Sequence, residues 1–252
     1  MALFHPTDLL LFASAFAAGI INAIAGGGSF LTFPSLVIAG VPSVAANATN
    51  TLALMPGSFA STWSYRRQLA AVPGIPVWLL VAISLAGGIA GALLLLFTPE
   101  RVFQEIAPWL LLFATIIFTF GKQISGFLLD RFHIGVVGYG IIQFFIATYG
   151  GYFGAGIGIL TLAALALFGM TRIHAMNALK TAMAGTLNAV AAAIFIYSGL
   201  IHWRECGIMM VAGIIGGYLG AHAAQRLDPR IVRGVVITTG CVMTVWFFTR
   251  SR

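Results

Sequence analysis

Ala25-Gly26-Gly27-Gly28-Ser29-Phe30 interrupts a stretch of sequence that is otherwise apolar enough for lipid. Three consecutive residues without a Cβ break a helix at little steric cost and let another backbone, or a ligand, approach closely. A helix restarting at Ser29 would aim its free N–H groups into the break, which is the outline of an anion site. A plain tight turn, or close helix packing by small residues, would also account for this stretch taken alone. The theme returns downstream as Gly150-Gly151-Tyr152-Phe153-Gly154-Ala155-Gly156-Ile157-Gly158, again between an apolar run and a short apolar helix.

Around these breaks the chain has too little polar surface to coat a soluble globule. Of 252 residues, 60% are hydrophobic and 8% charged, and the mean hydropathy is +1.01. The chain reads as an all-α polytopic membrane protein, because its apolar runs are rich in Leu, Ala, Ile and Phe and lack the alternation of an outer-membrane barrel. A net charge of +7 would suggest nucleic acid in a soluble protein. Here the basic residues sit in short loops, where they set orientation, so no nucleic acid is expected. Cys206 and Cys241 form no Cys-x-x-Cys pair and the histidines no cluster at ligand spacing, so neither a metal nor a cofactor is expected. The N-terminal apolar run lacks the basic start of a signal peptide and is read as the first membrane helix.

That first helix is predicted over residues 8–25. The piece after the break, 30–40, is short for a span. It is either a steep, thin helix or one arm of a re-entrant hairpin whose irregular tip is buried in protein. The third helix, 42–65, stops at Arg66-Arg67 and carries Asn47, Asn50 and Thr51 on one face, extended by Ser58 and Ser61. Spans at 75–97 and 102–121 and a polar connector at 122–133 complete the half. The second half restates this layout at 134–149, 159–169, 172–197, 206–225 and 231–248. A single shift of 129 positions carries Gly27 onto Gly156, Leu31 onto Leu160, Thr32 onto Thr161, Gly40 onto Gly169 and Arg101 onto Arg230. The same shift carries Gly87, Gly88 and Gly91 onto Gly216, Gly217 and Gly220. The chain thus divides into an N-terminal transmembrane repeat, 1–125, and a C-terminal one, 126–252, each of about five helical segments.

An odd number of crossings per repeat makes the two repeats inverted. Placing the Arg66-Arg67 loop in the cytoplasm puts Lys122, Arg131, Arg172, Lys180, Arg226, Arg230 and Arg233 on that side as well. Of the 13 Lys and Arg residues, only Arg101, Arg204, Arg250 and Arg252 then lie outside, together with both termini.

Inverted repeats with broken helices point half-helix N-termini at a substrate held at the repeat interface. Gly26, Gly27, Gly28 and Ser29 of the first break, and Gly154, Gly156 and Gly158 of the second, are the candidate backbone ligands. Side-chain candidates are Asn47, Asn50 and Thr51 and, on the matching helix, Lys180 with Asn177, Thr181 and Asn188 at helical spacing. An ammonium within the membrane is costly and calls for a partner or a function; the alternative is that Lys180 snorkels to an interface about two turns away. Asp8, Glu100, Glu105, Asp130, Glu205 and Asp228 all fall at span ends or in loops. No span therefore offers a carboxylate for a cation, and an anion fits better. Tyr149, Tyr152 and Gln143 are further neutral donors, although tyrosine near a helix end also serves as an interface anchor. His174 and His222 are the remaining candidates for proton coupling.

The glycine run, the short helix ending in Gly40-Val41-Pro42, the Ala45-Ala46-Asn47-Ala48-Thr49-Asn50 helix and the duplication resemble the TauE/SafE (TSUP) family of sulfite exporters over nearly the whole chain. The resemblance implies a multi-pass secondary transporter of the inner (cytoplasmic) membrane that exports a small anion, sulfite or an organosulfonate. Its partners would be that anion and the lipid bilayer, with a homodimer left open, no cofactor and no enzymatic activity. Two other classes are weighed against this. One is a non-transporting membrane factor that assists assembly of another complex. The other is an intramembrane hydrolase with Ser29 as nucleophile and His222 as base. A hydrolase needs no duplicated break, and the second copy has Ile157 or Gly158 where the serine would stand.

Overall fold

The computed structural model describes residues 6–24, 26–70, 72, 74–129, 135–223 and 229–250. Ala25, Asp130, Arg131, Arg226, Asp228 and Arg252 lie outside the described residues, as do the side chains of Lys122, Arg230, Arg233 and Arg250. The described chain forms α1 (Pro6–Ile24), α2 (Ser29–Ile38), α3 (Ser43–Ser64), α4 (Val77–Leu96), α5 (Glu100–Leu129), α6 (Val136–Tyr152), α7 (Ile157–Leu167), α8 (Ile173–Tyr197), α9 (Trp203–Ala223) and α10 (Pro229–Arg250). Among the described residues there is no strand. Pro6–Ile24, Trp78–Leu96, Glu100–Gly121 and Ile173–Tyr197 are long and apolar enough to cross a bilayer. Large apolar side chains such as Leu94, Phe97, Val137, Phe145 and Val245 face outward, as a lipid-solvated surface requires. This is an all-α, multi-pass membrane protein.

Left-handed glycines punctuate the chain at matching places. Gly27 (φ +98°) and Gly156 (φ +77°) sit in the two breaks, and Gly40 (φ +92°) and Gly169 (φ +90°) end the two short helices. Residues with a Cβ pay about 1–2 kcal/mol for that conformation. At the end of α2 the Val41 N–H donates to the Leu36 carbonyl and the Gly40 N–H to that of Val37; Met170 to Leu165 and Gly169 to Ala166 repeat the pattern after α7. Such a closure satisfies the last carbonyls and stops the helix. With 10 and 11 residues, α2 and α7 are about 15–17 Å long, roughly half the hydrocarbon thickness.

The first short helix folds back along α1. It starts against α1, where the Gly28 N–H donates to Asn22 Oδ1 at 2.7 Å, and it leads back to the start of α3. There the free N–H groups of Ser43 and Val44 donate to the Glu100 carboxylate at 2.6 and 2.9 Å. Thr49, in the second turn of α3, accepts from the His202 N–H at 3.1 Å, and Arg204 pairs with Asp8 at 2.7 Å. These contacts gather Asp8, Glu100, Arg101 and Arg204 at one end of the molecule. At the other end Ser64 meets His222 at 3.3 Å and the Tyr65 hydroxyl reaches the Ala23 carbonyl at 3.4 Å, beside Arg66-Arg67.

Neither half packs mainly on itself. Helix α1 lies on α9, and α4 lies on α6; α3 packs on α9, and α8 on α4; α5 packs on α7, and α10 on α2. Each second pair is the first carried along by the shift of 129. The central pair α3 and α8 runs antiparallel, since Thr62 near the end of α3 donates to Thr181 near the start of α8 at 3.1 Å. Backbones nearly touch in the tight pairs: a Cβ on Gly19 would lie 2.6 Å from Gly217 N, and one on Gly151 would lie 2.5 Å from the Gly88 carbonyl oxygen. Gly150 and Gly151, grouped with the second break in the sequence, are therefore helical residues of α6, spent on close packing. Residues 122–129 of the connector predicted at 122–133 are likewise the last part of α5.

Candidate functional site

The two breaks meet. A Cβ on Gly26 would lie 2.8 Å from Gly158 Cα, so the tips of the broken helices abut. Beside this contact, between α3 and α8, lies a small polar cleft. Gly26, Gly27 and Ser29 reach it from the first break, Gly154 and Gly158 from the second, Asn50 and Thr51 from α3, and Lys180 and Thr181 from α8. Ser58, Ser61 and Asn188, the outlying members of the polar faces, line it too. The α2 and α7 N-termini thus flank one space, and each brings the positive end of a helix dipole, while the N–H groups of Phe30, Leu31, Ile157 and Ile159 already donate to the carbonyls of Gly27, Gly28, Gly154 and Gly156.

Four expected residues stand behind the lining instead of in it. The Gly28 N–H is already engaged by Asn22, and a Cβ there would press within 2.6 Å of the Ala18 carbonyl. Asn47 donates to the Tyr152 carbonyl at 2.7 Å, tying α3 to the end of α6, and its buried Oδ1 has no partner among the described residues. Gly156 caps α7. Asn177 Oδ1 accepts from Lys180 Nζ at 2.9 Å.

Lys180 is 2% exposed, so its side chain is enclosed by protein. Its ammonium donates to Asn177 Oδ1 and, at 3.4 Å, to the Ala23 carbonyl. Both acceptors are neutral, and none of the ion pairs among the described residues involves Lys180. One of its three N–H donors is left without a protein acceptor among the described residues. The shift of 129 carries Thr51 onto Lys180, so the two central helices present a hydroxyl and an ammonium at equivalent positions.

Ser29 is held for donation. Asn50 Nδ2 donates to Ser29 Oγ at 3.2 Å, while Asn50 Oδ1 accepts from the Thr32 hydroxyl. Since Ser29 Oγ accepts from Asn50, its own proton remains for the cleft. The other neutral candidates are used elsewhere and do not line the cleft. Tyr149 donates to the Ala155 carbonyl at 2.8 Å, bracing the second break; Tyr152 meets Thr98 at 3.4 Å; and Gln143 donates to Ser84 at 3.4 Å. His174 and His222 are exposed. The lining adds Asn22, which was visible in principle as a lone amide in the apolar run Ile20-Ile21-Asn22-Ala23-Ile24. It also adds Leu54, Ile157 and Ala184, apolar residues with no signal to mark them.

Broken helices meeting at a polar cleft inside a multi-pass bundle are the architecture of a membrane transporter. Residues 11–247 match the sulfite exporter TauE/SafE family, and the chain belongs to it. It is 31% identical over 242 residues to a probable membrane transporter protein of Haemophilus influenzae, covering 94% of this chain and 93% of the relative. It is 28% identical over 249 residues to the probable membrane transporter protein ORF9 of Sinorhizobium sp., covering 93% and 90%. With the probable membrane transporter protein YfcA of Escherichia coli K12 it shares 29% over 252 residues, covering 96% and 91%. No solved structure matches the chain.

Proposed function

We propose that the protein is a secondary transporter that exports a small anion, sulfite or an organosulfonate, across the inner (cytoplasmic) membrane. Lys180 carries this reading: a buried ammonium with only neutral partners stands beside two half-helix N-termini. A charge taken out of water needs a counter-charge, and a breakable pair in a membrane cleft is a substrate site. Gly26, Gly27, Ser29, Asn50, Thr51, Gly154, Gly158, Lys180 and Thr181 contact the anion in this reading, and Gly28, Asn47, Gly156 and Asn177 hold those contacts in place. The choice of sulfur anion follows the family's description. Residues 1–125 and 126–252 act as inverted repeats that rock about the cleft; the shift-related packing pairs and the antiparallel α3 and α8 support this.

The test is counterflow of labelled sulfite in proteoliposomes holding purified protein. Internal sulfite or isethionate should drive uptake of label, and equal chloride should not. No counterflow with either sulfur anion would overturn the reading.

A further inference from the structure

Different side chains pack beyond the two ends of the cleft. Toward the end with Glu100 and Arg204 stands a thick aromatic layer, in which Phe33 packs on Phe153 at 5.5 Å and on Phe247 at 5.4 Å between centroids, with Phe103 beside them. Toward the Arg66-Arg67 end, Tyr65 packs with Ala23, Ala178 and Ala221 in a separate buried cluster, beside the Thr62–Thr181 and Ser64–His222 contacts. Tyr65 lies one turn beyond Ser61, which lines the cleft.

One carbonyl joins this cluster to the site. Ala23 O accepts from the Tyr65 hydroxyl and from Lys180 Nζ, each at 3.4 Å. Both bonds are long for their kind, so either yields readily. Together they tie the last turn of α1 to the end of α3 and the start of α8.

We infer that Tyr65 is the gate of the cleft at the Arg66-Arg67 end, and that anion binding loosens it by drawing the Lys180 ammonium off the Ala23 carbonyl. This rests on Lys180 being the anion's counter-charge. An ammonium that turns to an anion in the cleft gives up the weaker of its two protein bonds, the 3.4 Å one. The α1 end is then held by the tyrosine hydroxyl alone. Occupancy of the site and freedom of the gate are thereby linked through one backbone oxygen. Tyr65 is a positioning residue here and does not touch the anion.

The experiment is amide hydrogen exchange on the full chain in nanodiscs, with and without sulfite, for the wild type and Tyr65→Phe, which keeps the ring and loses only the hydroxyl. In the wild type, sulfite should speed exchange over residues 64–68 by about fivefold, the worth of one released hydrogen bond, while slowing it at 27–31. Tyr65→Phe should exchange fast at 64–68 already without anion and gain little from sulfite. If sulfite still protects 27–31 but Tyr65→Phe matches the wild type at 64–68, the gate is wrong and the site stands. If sulfite changes exchange nowhere in either protein, the anion site is wrong and the gate falls with it.

Discussion

Exchanging Lys180 for methionine keeps most of the length and the apolar stem of the side chain and removes the charge. A ligand anion that touches the ammonium sits about 4 Å from it, where unit charges at an effective dielectric near 20 attract by about 4 kcal/mol. At about 1.4 kcal/mol per factor of ten, the variant should bind the anion about a thousandfold more weakly. The fold should survive, because the chief loss is the Asn177 Oδ1 contact at 2.9 Å, a buried acceptor whose orphaning costs about 1–3 kcal/mol. Lys180→Arg, which keeps the charge but not the shape, should retain part of the transport. The assay is uptake of labelled sulfite into membrane vesicles, normalised to protein in the membrane. Near-normal flux through Lys180→Met would refute the reasoning and leave backbone amides, Ser29 and the Asn50 and Thr51 face to hold the anion.

Gly27→Val and Gly156→Val each force a β-branched residue into a left-handed position and should abolish flux while insertion persists; wild-type transport in both would reduce the breaks to turns. Gly26→Ala should do the same, since its Cβ meets backbone at Gly158, and unchanged sulfite binding would show that the two breaks need not touch. An impermeant thiol reagent applied outside should label cysteines at positions 101 and 204 and miss one at 67; equal labelling of 67 and 204 would rule out the proposed orientation. Arg204→Ala deprives the buried Asp8 carboxylate of a 2.7 Å partner and should lower stability by about 1–3 kcal/mol. Thermal unfolding in detergent reads this, and an unmoved midpoint would mean the pair contributes nothing.

Most of the helical layout was legible because its causes are local. The third helix expected at 42–65 is observed at Ser43–Ser64, since Pro42 starts it and the Arg66-Arg67 pair follows its end. Gly40 and Gly169 stop their helices by backbone conformation alone, a property of the residue and not of its surroundings. The buried carboxylate-free face, the duplicated breaks and the candidate ammonium are equally properties of the string of residues. What each does there is not. Gly28 and Gly156 look like their neighbours in sequence, yet one N–H is taken by Asn22 and the other glycine caps α7. Gly150 and Gly151 read as part of a break and are helix; their missing Cβ atoms make room for Ile157 and Leu187 at Gly150 and for the α4 backbone at Gly151. Lys180 at the same helical position could have reached an interface or turned inward. Its direction was decided by Asn177 and by the Ala23 carbonyl, and that carbonyl comes from a helix more than 150 residues earlier in the chain. Periodicity assigns a residue to a face, but only packing decides which neighbour the face meets and therefore whether a charge lies in water or against a substrate.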